Sequence, residues 1–124
     1  MESIGLVIVS HSKHIAEGVV ELISKVAKDV PITYVGGTEG GGIGTSFDQV
    51  DRVVSENPAD TLLAFFDLGS AKMNLKMVTD FSDKSIIINR VPIVEGAYNA
   101  AALLQAGAEL SVIQTQLAEL ELLK

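Results

Sequence analysis

Ile4-Gly5-Leu6-Val7-Ile8-Val9-Ser10-His11-Ser12 is a compact apolar run that stops abruptly at three polar residues. It lacks the alternation of a half-exposed strand, so it reads as a strand buried on both faces. The spacing then changes. Ile15, Val19, Leu22, Ile23 and Val26 recur at helical intervals, and Ser12 is placed to cap the helix they define. The unit repeats downstream. Pro31 to Gly36 is a second strand, followed by Gly36-Gly37-Thr38-Glu39-Gly40-Gly41-Gly42-Ile43-Gly44. Thr45 or Ser46 caps a helix carrying Phe47, Val50, Val53 and Val54. Thr61 to Phe66 is a third strand, ending at Asp67-Leu68-Gly69-Ser70, with a helix bearing Leu75, Val78 and Phe81 behind it. Ser85 to Asn89 is a fourth strand. Pro92 breaks the chain before an alanine-rich helix from about Val94 to Ala106, and Leu110, Ile113, Leu117 and Leu120 mark a last one.

Strands separated by helices cannot pair as hairpins. The order βαβαβαβαα therefore predicts an α/β fold: a three-layer open sheet of four parallel strands with helices on both faces. The expected strand order is 2-1-3-4. No linker, repeat or low-complexity stretch divides the chain, so residues 1–124 read as a single domain.

The 124 residues are 48% hydrophobic and 20% charged, a globular composition able to bury a core. The apolar runs are short for a membrane span, and the first reads as a strand, not a signal peptide. Cysteine is absent, which removes thiolate catalysis and disulfides and makes a cytoplasmic setting the simplest expectation. A net charge of −7 disfavours nucleic acid and anionic membranes as partners.

In an open parallel sheet, ligands gather outside the carboxyl ends of the strands. His11, the glycine loop and Asp67 all fall there. With strands one and three adjacent, His11 and Asp67 lie side by side. A carboxylate on one ring nitrogen fixes the tautomer and leaves the other nitrogen as a free lone pair. It also stabilises the positive charge that builds on the ring during phosphoryl attack. The plainer alternatives are a solvated loop histidine and an aspartate capping the next helix. The glycine loop is either a surface turn or a set of bare amides meeting phosphoryl oxygens or a docked partner. Gly40, Gly41, Gly42 and Gly44 are its candidates, with Gly69 and the hydroxyls of Ser10, Ser12, Thr45 and Ser70 beside them. Lys13 is the only basic residue next to His11 in sequence, so backbone amides are the expected donors. The loop has neither Gly-Lys-Ser/Thr nor G-x-G-x-x-G, and two histidines without an acidic cluster give no metal site. This chain is expected to bind no metal and no free nucleotide tightly. His14 reads as a solvated helix residue, and Met73 and Met77 as core or interface packing.

Val7 to Ser12, Gly36 to Ser46, Asp67-Leu68-Gly69-Ser70-Ala71 and Pro92-Ile93-Val94-Glu95-Gly96-Ala97, in this order and spacing, resemble the DhaM family. These are the phosphotransfer subunits of bacterial dihydroxyacetone (glycerone) kinases that depend on the phosphoenolpyruvate phosphotransferase system. They belong to the mannose-class enzyme IIA fold, and the resemblance covers the whole chain. It implies that the histidine matching His11 takes phosphate from the carrier HPr as a phosphohistidine. It implies transfer to ADP held in the nucleotide-binding kinase subunit, where Mg²⁺ and ADP/ATP belong. It further implies Asp67 as the ring partner and a homodimer. Longer relatives carry fused carrier domains after this one; with the chain ending at Lys124, HPr is expected to be a separate protein.

Three other readings compete. One is a mannose-class sugar-transport IIA domain. Another is a phosphohistidine phosphatase or mutase, but that normally has an arginine before its first histidine and a second late in the chain. Here Ser10 precedes His11 and no histidine follows His14. The third, a flavodoxin-like binding module, fits poorly with 5% aromatic residues and no hydroxyl-rich loop after strand one.

Overall fold

The computed structural model describes residues 3–124. In chain order the elements are β1 (Ile4–Ser10), α1 (Lys13–Ser24), β2 (Ile32–Gly36), α2 (Phe47–Glu56) and β3 (Thr61–Phe66). There follow α3 (Gly69–Phe81), β4 (Ser85–Asn89), α4 (Ile93–Gln105) and α5 (Leu110–Ala118). The strands form one sheet in the order β2-β1-β3-β4, and every pairing is parallel. This is the expected topology.

The period-two geometry of a strand sorts its side chains to opposite faces. Leu6, Ile8, Leu63 and Phe65 point to one face, against Val19 and Ile23 of α1, Ala97, Ala100 and Ala101 of α4, and Ile113 and Leu117 of α5. Val7, Val9, Leu62, Ala64 and Phe66 point to the other, against Val50, Val53 and Val54 of α2 and Ala71, Leu75 and Val78 of α3. The chain moves outward through α1 and then reverses across β1, which sends α1 and α2 to opposite faces. Ser46, not Thr45, caps α2, its hydroxyl accepting from the Gln49 amide.

Burial departs from the sequence reading in three places. Double-sided burial holds for β1 and β3, whereas the edge strands β2 and β4 are largely only part-buried. On α1 the covered stripe is Ala16, Val19 and Ile23; Ile15 and Leu22 remain about half exposed. Ala16 faces inward because α1 lies hard against β2: a Cβ at Gly36 would come within 2.5 Å of the Ser12 carbonyl oxygen. Phe81 is exposed and meets Phe47 edge-on at 6.2 Å, and Met73 and Met77 are exposed too, so none of the three belongs to the core. Phe81 is the last residue of α3, beyond Val78, the last one the helix buries.

Candidate functional site at the carboxyl ends of β1 and β3

The parallel register sets Val9 of β1 opposite Phe66 of β3. The next residues, Ser10 and Asp67, therefore leave the sheet together. Asp67 Oδ2 accepts from Ser10 Oγ at 2.7 Å and from the His11 amide at 3.0 Å. Oδ1 lies 2.8 Å from His11 Nδ1 and accepts from the Leu68 amide at 2.7 Å. Burial alone would raise the Asp67 pKa. The hydrogen bonds from Ser10, from the His11 amide and ring, and from Leu68 outweigh it and hold the carboxyl below its ordinary 3.8.

An ionised carboxylate only accepts, so His11 Nδ1 must be the donor. In the neutral ring this leaves Nε2 with its lone pair. The Ser70 hydroxyl is in hydrogen-bond contact with that nitrogen, and donates to it. With side chains only 14% and 15% exposed, the His11–Asp67 pair is shielded from water but open on the Nε2 side. Asp67 does not cap α3. The cap position is Leu68, which offers no side-chain bond. Among the described residues the amides of Gly69 and Ser70 meet no acceptor, so the first turn of α3 opens beside Nε2 with donors to spare.

The glycine loop is organised differently. Its base is tied to β1, with the Gly37 amide donating to Ser10 O at 3.1 Å and the Gly44 amide to His11 O at 2.9 Å. Its tip closes on itself: Thr38 donates to Gly42 O, Gly41 to Thr38 O, and Gly42 to Thr38 Oγ1. The turn requires glycine at Gly37 (φ 76°) and Gly41 (φ 87°). Gly40, Gly41 and Gly42 are exposed. Thr45 accepts from Asn74, and the Ser12 hydroxyl caps α1 by accepting from the Ile15 amide. His14 is exposed on α1. The structure thus gathers Ser10, His11, Asp67, Gly69 and Ser70 around one ring, with the loop bordering them.

A family model described as EIIA-man, PTS system fructose IIA component, matches residues 5–114. The chain belongs to the EIIA-man family. Within it the chain is 56% identical, over 113 residues, to the PTS-dependent dihydroxyacetone kinase phosphotransferase subunit DhaM of Lactococcus lactis, covering 91% of this chain and 92% of that one. It is 49% identical to the PEP-dependent dihydroxyacetone kinase 1 phosphoryl donor subunit DhaM of Listeria innocua, covering 95% of each chain. The crystal structure of the unknown function protein EF1359 superposes with a TM-score of 0.83 at 28% identity, over 98% of this chain and 95% of that one. No helix among the described residues of this EIIA-man chain is long and apolar enough to cross a membrane.

Sequence reasoning passed over Lys124. Its ammonium donates to Phe66 O at 2.8 Å, at the end of the strand that carries Asp67. A lysine 57 residues further along the chain than Asp67 gives no local signal of such a contact.

Proposed function

We propose that this chain is the phosphoryl-carrying subunit of a phosphotransferase-system-dependent dihydroxyacetone kinase. His11 Nε2 accepts a phosphoryl group from HPr and hands it to ADP held in the nucleotide-binding subunit. The observation that carries this reading is a tautomer fixed from behind by Asp67, with Nε2 facing the open first turn of α3. The likeness to two DhaM subunits over nearly their whole length supports it.

In the first step the Nε2 lone pair attacks the phosphorus of the donor's phosphohistidine. The donor's P–N bond breaks and its electron pair returns to the donor ring. His11 is then phosphorylated at Nε2 and protonated at Nδ1, and Asp67 balances the positive charge on the ring. The amides of Gly69 and Ser70 and the Ser70 hydroxyl receive the phosphoryl oxygens, where the positive end of α3 adds to their attraction. In the second step a terminal oxygen of ADP attacks the same phosphorus, the Nε2–P bond breaks, and the ring regains its lone pair. Mg²⁺ and nucleotide belong to the acceptor, and this chain holds neither. Gly40, Gly41, Gly42, Gly44, Thr45 and Ser12 border the site and meet the docked partner. The chain works in the cytoplasm as a homodimer.

The test is incubation with phosphoenolpyruvate, enzyme I and HPr, followed by the ADP-loaded kinase subunit. Acid-labile phosphate on this chain that chases into ATP is expected. A chain that takes no label overturns the reading, and label that passes only to a sugar-transport IIB domain makes it a transport component instead.

A further inference from the structure

We propose that Lys124 is a positioning residue for this site: its ammonium, seated on the carbonyl end of β3, offsets the charge of Asp67 and of the phosphoryl group arriving on His11. The proposal rests on the carrier reading for the phosphoryl group but not for the contact with Asp67.

The route of the chain makes the contact. After α5 the Leu122 amide donates to Arg90 O at 2.7 Å, and Arg90 pairs with Glu121. This brings the tail back to the end of the sheet that carries His11. There Lys124 Nζ donates to Phe66 O at 2.8 Å and to Asp67 O at 3.4 Å, and lies 4.5 Å from the centre of the Phe66 ring. Lys72 on α3 donates to the Lys124 carbonyl at 2.7 Å and fixes the residue from its other side.

A lysine ammonium ordinarily stays in water. Here burial works against its charge, and the negative Asp67 works for it. The balance of charge at the site explains the placement. Asp67 contributes one negative charge, and a phosphoryl group adds about 1.5 to 2 more, in a chain already at −7. Ser10 at the end of β1, His11 just after it, the Leu68 amide and Lys124 are the groups that face Asp67. Of the other cations on the elements meeting there, Lys13 is exposed on α1 and Lys72 is engaged with the tail. Lys124 is the cation that donates to the Asp67 main-chain carbonyl, and the carboxylate's charge acts on it from nearby. By holding the Phe66 and Asp67 carbonyls it fixes the backbone from which the carboxylate reaches the ring.

The test compares the full chain with Lys124→Met, which keeps the stem on Phe66, and Lys124→Arg, which keeps the charge. Lys124→Gln serves if the Met variant does not fold. Carbon-13 NMR of the Asp67 carboxyl is expected to titrate at higher pH in Lys124→Met and at the wild-type position in Lys124→Arg. The fraction phosphorylated at equilibrium with HPr is expected to fall about three- to tenfold in Lys124→Met, with Arg restoring it. An unchanged carboxyl titration in Lys124→Met overturns the proposal. So does an unchanged phosphorylation equilibrium, or an Arg variant that behaves like Met. If the wild-type chain takes no phosphate from HPr, the carrier reading fails, and the carboxyl titration still decides whether Lys124 acts on Asp67.

Discussion

Two glycine-containing segments flank His11, and they differ in what their amides are free to do. The loop from Gly36 to Gly44 is rich in glycine, yet the amides of Gly37, Thr38, Gly41, Gly42 and Gly44 all donate within the protein. Glu39, Gly40 and Ile43, whose amides meet no acceptor among the described residues, lie at its exposed tip, whereas the junction Asp67 to Ser70 holds one glycine, yet α3 begins there without a side-chain cap and leaves the Gly69 and Ser70 amides unspent beside the ring. An anion site is made by donors without partners, and glycine content alone does not supply them. The loop's glycines serve its shape, through left-handed backbone at Gly37 and Gly41.

The comparison can be broken most directly at the ring. His11→Ala is expected to abolish phosphate uptake with the circular dichroism spectrum unchanged. Full labelling of that variant, or loss of labelling only in His14→Ala, would move the site elsewhere. Next in size is Asp67→Asn. The amide keeps the shape but turns an NH₂ toward Ser10 and the His11 amide or toward the ring, where only acceptors fit. A charged hydrogen bond of roughly 1.5–3 kcal/mol is lost, and transfer should slow about ten- to a hundredfold in rapid-quench measurements.

The two segments are separated by a smaller pair of effects. Ser70→Ala removes one donor at Nε2 and should lower the maximal transfer rate roughly two- to tenfold, the worth of one ordinary hydrogen bond. Gly40→Glu adds bulk and charge where a Cβ meets nothing within 4 Å, so the fold should tolerate it. It should raise the KM for HPr about two- to fivefold and leave the maximal rate alone. A loss of maximal rate in Gly40→Glu, with Ser70→Ala at the wild-type rate, would reverse the roles assigned to the loop and the junction.

The smallest effect is on stability. The Asp67 pKa is depressed by folding, so its carboxylate stabilises the fold above the ordinary value of 3.8 and loses that contribution as the pH falls through the lower folded value. Thermal melts of wild type and Asp67→Asn should therefore differ most near neutrality and converge in acid. A difference independent of pH would show that the Asn effect is steric.

Much of this was legible in the chain. The run from Ile4 to Val9, the helical spacing from Ile15 onward and the strand–helix alternation are local patterns, and local patterns fix element type and the parallel sheet. The polar residues after β1 and β3 also announced the site, because the carboxyl end of a buried strand is where the chain first meets solvent. Ile15, Leu22 and Phe81 were misplaced because periodicity names a helical stripe but not what covers it. α1 turned Ala16 toward Gly36, and α3 buried Leu75 and Val78 but left Phe81, its last residue, outside.

What the sequence determined by itself was the order of elements and the pair His11 and Asp67, since both follow from hydrophobic pattern and strand-end position. The tertiary structure alone decided which amides remain free, that Ser70 meets Nε2, and that Lys124 reaches the end of β3. Each of these depends on groups brought together from opposite ends of the chain, or on a hydrogen bond already used elsewhere. Neither leaves a trace in local spacing, because packing and not propensity chooses the partner.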